Sequence, residues 1–309
     1  MIPPQIKKRI DDLRLDERSG AQELAWAALA IWRDFIKTSK EKDPYKVTLG
    51  LTDLGMALIR AQPSVAPVIR LANDLLCQVE TLAVSDVWFT SIMRKAVEYE
   101  AFSKTALNKL IRFAKRLLNF SGLVLTYSYS SVVTQSILAA KRAGMKFGVM
   151  TSEARPANEG QITATMLAKT GLNVQYMTDV GLLSSIATAS VVLLGADAIL
   201  PEAVVNKMGS RLIIEKARSC GVPVYVLTMT NKFLPRSLLP FFEIQDRNPA
   251  EVWNKAPKSV TPQNRYFDQT PMEMITGMIT EDGMVRPETL PGFLHQINLS
   301  EKLKQRLRN

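Results

Sequence analysis

The chain has 309 residues, 47% of them hydrophobic and 22% charged, and its 39 Lys and Arg against 29 Asp and Glu leave a net charge of +10. That length and apolar content suffice for two domains or one large α/β unit with a sizeable core, and they exclude a chain disordered over most of its length. Two cysteines without CxxC spacing, Cys77 and Cys220, and a single histidine, His295, exclude a disulfide framework, a structural zinc site and a histidine-based triad.

Met1 to Ile10 carries no apolar core before a small-residue cleavage site, so it does not read as a signal peptide. No later run approaches the roughly 18 apolar residues of a membrane span, and a cytoplasmic protein is expected. Residues 6 to about 37 read as helical, because Leu24, Ala27, Ala28, Ile31, Trp32 and Phe35 recur at helical spacing. Arg18, Ser19, Gly20 and Ala21 interrupt that stretch and open a new helix, whose N-terminal amides suit an anion. A connector over 40–46 follows, and helical material resumes to about Asn119 with a break at Pro63. Residues 1–119 are therefore expected to form a small all-helical domain. Within it, Lys104, Lys109, Arg112, Lys115 and Arg116 form an acid-free basic stretch without interleaved aromatics. It reads as a solvated helix face or a subunit contact, with RNA binding the weaker alternative; no nucleic acid or membrane partner is expected. Both cysteines read as buried small apolar residues.

From Ser121 short apolar runs alternate with helical segments, which predicts βαβ units and a mostly parallel, Rossmann-like sheet over 120–309. The predicted strands are Leu123–Thr126, Phe147–Thr151, Val174–Met177, Val191–Leu194 and Val222–Leu227, with helices over Val132–Ala143 and Ala203–Ser219. A further helix is expected over Met272–Met278 and a closing strand and turn over 279–283. Neither a G-x-G-x-x-G turn nor a P-loop is present, so no dinucleotide or nucleoside triphosphate site is signalled, and no cofactor or metal is expected.

Ligands of open α/β sheets bind at the carboxyl ends of the strands. Here those ends carry Thr126-Tyr127-Ser128, Thr151-Ser152-Glu153-Ala154-Arg155, Thr178-Asp179, Gly195-Ala196-Asp197 and Thr228 to Lys232. Helix capping explains Ser130, Ser131 and Thr178. It explains less well the Glu153 and Arg155 pair or the lone Asp197 after an apolar strand, so this edge is the candidate ligand site. Tyr266 and Phe267 read as packing residues, with Asp268 able to face the site.

Thr151-Ser-Glu-Ala-Arg-Pro156 with Glu159-Gly160, Gly195-Ala-Asp197, Val205-Asn-Lys-Met-Gly209, Lys232-Phe233 and Phe267-Asp-Gln-Thr-Pro271 together resemble the initiation factor 2B-related superfamily. That superfamily includes the alpha, beta and delta subunits of eukaryotic initiation factor 2B and the isomerases of S-methyl-5-thioribose 1-phosphate and ribose 1,5-bisphosphate. The resemblance runs from Leu13 to Gly283. It implies a helical domain, a Rossmann-like domain, a phosphosugar site between them, and a homo-oligomer. It also implies that Asp197 stands at the catalytic Asp, that Asn206 and Lys207 stand at the substrate-binding pair, and that Gly20 and Ala21 end an Arg-Gly-Ala phosphate loop beside Arg18.

The chain departs from the isomerases at several of these places. Ser128 replaces their catalytic Cys, and a hydroxyl gives up its proton far less readily than a thiol, whose pKa is about 8.5. Ser19 replaces the loop arginine, Gln62-Pro63-Ser64 an Arg-Pro-Thr motif, and Glu159 a ligand-binding Gln. Fewer arginines mean fewer bidentate phosphate contacts, and an ionised Glu159 repels an anion. Two functions remain open. One is an aldose–ketose isomerase of a sugar 1-phosphate using Asp197 with Ser128. The other is a non-catalytic ligand-sensing or assembly subunit like those of initiation factor 2B.

Overall fold

A computed structural model describes residues 2–16, 19–41, 43–82, 87–119 and 121–307. Packing divides the chain into two units, one of Met1–Thr105, Asn231–Glu243 and Gly292–Asn309, the other of Ala106–Thr230 and Ile244–Pro291. The units interleave along the sequence, whereas the sequence reading divides it once, near residue 119.

In the first unit Pro4 opens helix α1 (Pro4–Leu15), where its missing amide hydrogen costs nothing. Helix α2 (Ala21–Thr38) buries Leu24, Ala28, Ile31, Trp32 and Phe35 as the periodicity predicts; Ala25 and Leu29 complete the stripe and Ala27 is exposed. Asp43 caps α3 (Pro44–Ala61) by accepting from the Tyr45 amide, and Pro63 separates it from α4 (Ala66–Glu80). The distant segments join this unit through buried polar contacts. Arg70 Nη1 donates to the Phe233 carbonyl at 2.9 Å. Asn73 donates to the Asn298 carbonyl at 2.8 Å and accepts from the Ser300 amide at 2.9 Å, which holds the helix Glu301–Leu307.

Helix α5 (Trp88–Leu117) enters the second unit with its carboxyl half. There Ala106, Leu110, Ala114 and Leu118, one turn apart, are buried in the same core as Val124, Val149 and Val191, while Lys104, Lys109, Arg112 and Arg116 are exposed. The basic stretch is thus the solvated face of an amphipathic helix.

The main sheet has seven strands: β1 (Leu123–Leu125), β2 (Gly148–Ser152), β3 (Val174–Met177), β4 (Val191–Leu194), β7 (Val224–Leu227), β9 (Gly277–Thr280) and β10 (Gly283–Val285). Their order is β10-β9-β7-β4-β1-β2-β3, parallel except for the β9–β10 hairpin. All four residues of β4 are buried, as its unbroken apolar run requires. The chain builds outward from β1 to β3, returns to β4 on the other side of β1, and continues to β7 and β9. The carboxyl ends of β1 and β4 therefore flank the topological switch point, where open sheets bind ligands.

Two expected helices are corrected. Ala203–Ser219 is a strand, β6 (Ala203–Lys207), followed by a helix over Ser210–Ser219. β-Branched Val204 and Val205 pair with β5 (Ala198–Ile199) on one side and with β8 (Phe267–Pro271) on the other, in a separate antiparallel sheet. Met272–Met278 is a single helical turn over Met272–Met274 and then β9, whose Met278 and Ile279 pair with Val226 and Leu227. The expected strands Leu123–Thr126, Phe147–Thr151 and Val222–Leu227 differ from β1, β2 and β7 by one or two terminal residues. Cys77 and Cys220 are half-buried rather than buried. No helix among the described residues is long and apolar enough to cross a membrane.

Candidate functional site

Ser128 follows β1 in a left-handed conformation, φ 63°, which a side chain other than glycine adopts only at a cost. Two neighbours hold it there. Its carbonyl accepts from Thr163 Oγ1 at 2.9 Å, and its hydroxyl, buried with the rest of the residue, donates to Glu159 Oε2. Glu159 precedes the helix α7 (Gly160–Ala168), which packs against β2. Gly160 makes that approach possible: a Cβ there would lie 1.6 Å from the Ser152 carbonyl oxygen.

The other oxygen of Glu159 accepts from the Tyr266 hydroxyl at 2.5 Å and lies 3.8 Å from Lys207 Nζ. Lys207 ends β6 and is only 3% exposed. Its ammonium sits 3.2 Å from the centre of the Tyr266 ring, a cation–π contact, and finds no hydrogen-bond acceptor among the described residues. Burial pulls the lysine below its ordinary range, opposed by the negative charges of Glu159, Glu251 and Asp197 and assisted by Arg247. The same burial, together with the Glu159 carboxylate, pushes the Tyr266 phenol up, so it stays protonated and donates.

Asp197 follows β4 and is half-buried, and its amide donates to the Val205 carbonyl at 2.8 Å, which fixes it beside β6. Asn206 is nearly buried and donates from Nδ2 to Ser210 Oγ at 3.1 Å. Opposite it in the ladder, Asp268 accepts from the amides of Gly209 and Arg211 at 2.8 and 3.1 Å. Desolvation pushes the Asp268 carboxyl up to about 6, against the pull of those amides. Gly209 must be glycine: φ is +101°, and a Cβ would meet the Tyr127 hydroxyl oxygen at 2.9 Å. That hydroxyl donates to the Met208 carbonyl at 2.7 Å. One oxygen of Asp268, Oδ1, is buried without a partner among the described residues.

Of the residues singled out from the sequence, the fold gathers Ser128, Glu159 and Lys207 into one network, with the charge of Asp197 acting on Lys207. Glu153 and Arg155 serve the loop through their backbones. The Glu153 carbonyl accepts from the Gly160 amide, and the Arg155 amide donates to Asp179 Oδ2 at 3.0 Å, while the Arg155 side chain is exposed. Gly20 and Ala21 open α2 in the other unit. There the Gly20 amide donates to Glu23 Oε2 at 3.0 Å, so a phosphate would have to displace a carboxylate. Arg18 lies outside the described residues. Gln62 donates to the Leu13 carbonyl at 2.6 Å and the Asp16 carbonyl at 3.2 Å, and Ser64 donates to the Glu243 carbonyl at 2.5 Å. Sequence reasoning missed Tyr266, which it took for a packing residue; only the β6–β8 pairing brings it against Lys207.

The Initiation factor 2 subunit family matches residues 17–287. The chain belongs to that family. A Pyrococcus furiosus relative described as eIF-2B subunit 2-like is 28% identical over 290 residues, covering 93% of this chain and 98% of the relative. The ribose 1,5-bisphosphate isomerase of the same organism is 26% identical over 298 residues, covering 93% and 92% of the two chains. The crystal structure of the Pyrococcus horikoshii translation initiation factor eIF-2B superposes with a TM-score of 0.78 at 25% identity, over 92% of this chain and 98% of that one. Relatives named for translation and relatives named for sugar-phosphate isomerisation are thus both similar to this chain along nearly its whole length.

Proposed function

We propose that this member of the Initiation factor 2 subunit family binds a sugar phosphate and interconverts its aldose and ketose forms. The observation that carries the reading is that Asp197 and Ser128 follow β4 and β1, the two strands that flank the switch point, and that Ser128 joins a network with Glu159 and Lys207. Asp197 moves the C2 proton to C1 as the bond between C1 and the ring oxygen opens; the C2 hydroxyl proton passes to that ring oxygen, the C2 oxygen becomes the ketone, and C1 keeps its phosphate. Lys207 and Asn206 hold substrate oxygens, and Ser128 positions a hydroxyl. Similarity to the isomerase of ribose 1,5-bisphosphate supports a phosphorylated sugar as ligand. The protein is further proposed to assemble with copies of itself.

A second reading, ligand sensing without turnover, is favoured by one specific feature: the Ser128 proton is already donated to Glu159 and is not available to a substrate. Phosphorus NMR of the purified protein with a panel of aldose 1-phosphates separates the two. Loss of the anomeric phosphate signal with growth of a ketose phosphate, abolished in Asp197→Asn, supports the isomerase. Binding shifts without conversion support sensing, and silence from every sugar phosphate rejects both.

A further inference from the structure

The hydrogen bonds around Glu159 have fixed directions. An ionised carboxylate only accepts, so Ser128 and Tyr266 must both donate to it, one to each oxygen. Ser128 Oγ is then left with lone pairs alone to offer a ligand. Lys207 is the complement: its ammonium only donates, it is almost wholly shielded from solvent, and it has no acceptor within hydrogen-bond distance among the described residues. Its charge, however, is already answered by Glu159 at 3.8 Å, with Asp197 and Glu251 adding negative potential and Arg247 opposing them.

We propose that Glu159 is a built-in counter-ion that makes this end of the site select a sugar hydroxyl and reject a phosphate. A sugar hydroxyl accepts from Lys207 and donates to Ser128 Oγ at the same time. A phosphate dianion matches Lys207 but offers no proton to Ser128, and it would stand against the Glu159 carboxylate in a poorly solvated place. The ligand class that fits is a sugar carrying a single phosphate, with free hydroxyls at the Ser128–Lys207 end. This assignment rests on the sugar-phosphate reading for the identity of the ligand but not for the charge selection itself.

The test is calorimetric titration of the intact chain and of Glu159→Gln with ribose 1-phosphate, ribose 1,5-bisphosphate and inorganic phosphate. The wild type should prefer the monophosphate over the bisphosphate, and Glu159→Gln should shift that ratio toward the bisphosphate by about tenfold or more, the scale of one unit-charge repulsion over several ångströms at a protein-like dielectric. Glu159→Asp keeps the charge and should keep the wild-type ratio. An unchanged ratio in Glu159→Gln, or its loss in Glu159→Asp, overturns the proposal. If no sugar binds the wild type, the sugar-phosphate reading fails on its own. Inorganic phosphate then decides the charge selection: affinity gained in Glu159→Gln supports it and no gain refutes it. A denaturation curve for each variant establishes that a folded protein is being titrated.

Discussion

Replacing Asp268 by asparagine isolates a cost that the fold accepts in order to hold the β8 carboxylate against the start of the helix Ser210–Ser219. In the folded chain the Asp268 carboxyl titrates at about 6, against an ordinary value of 3.8. Burial is the main cause; the Gly209 and Arg211 amides and the Arg211 charge pull the other way, and Glu215 adds to the rise. Because the folded value lies above the unfolded one, folding favours the protonated form. The resulting stability is fully present below about pH 4 and is lost as pH rises through about 6. A shift of about two pH units corresponds to about 3 kcal/mol. The carboxamide of the Asp268→Asn variant does not titrate, so the stability of the wild type minus that of the variant should fall by about that amount between pH 4 and pH 7. Urea unfolding of both proteins across this range measures the difference. Glu281, also pushed up by burial, is common to both and cancels. A difference that stays constant with pH would show that Asp268 is not desolvated as described, and the argument would fall.

Gly160→Ala puts a methyl group 1.6 Å from the Ser152 carbonyl oxygen, so α7 must separate from β2; a loss of about 3 kcal/mol or more in denaturant unfolding is expected. Asn73→Ala removes both bonds to the segment 298–300 and should cost about 2 kcal/mol, with faster amide exchange concentrated in Glu301–Leu307. Tyr127→Phe leaves the Met208 carbonyl without its 2.7 Å partner and should destabilise by about 1–2 kcal/mol in the same assay. Ser128→Cys supplies a group that gives up its proton far more readily than a hydroxyl; turnover of an aldose 1-phosphate should rise by about tenfold or more if the rest of the site is competent. No rise there would favour the sensing role.

Much of the second unit was legible because its signals are local. Val191–Leu194 is an unbroken apolar run between Ser190 and Gly195, and it is a strand buried along its whole length. Val174–Met177 is a strand at the same residues, and Ser130 caps the helix Ser131–Arg142 by accepting from the Val133 amide, as its place before an apolar helix suggests. Asp197 was conspicuous for the same reason, a carboxylate directly after an apolar strand. The motifs that carry the family resemblance lie partly in the loops after these strands and partly in β6 and β8, and the family match over residues 17–287 bears the resemblance out.

Residues 203–219 show where local signals stop. Their apolar spacing suits a helix, and the first five form a strand only because β5 and β8, one of them about 60 residues away in the chain, lie on either side. That pairing sets Lys207 opposite Phe267 and brings Tyr266, an apparent packing residue, against a buried ammonium and the Glu159 carboxylate. The sequence by itself determined the bodies of β1 to β4 and β7, the Ser130 helix cap and the chemistry available at those strand ends, since each depends on neighbours a few residues apart. Tertiary structure alone decided which of those groups meet, which way their protons point and which charges are shielded from water, because hydrogen-bond direction and desolvation depend on atoms that the chain brings together from distant positions.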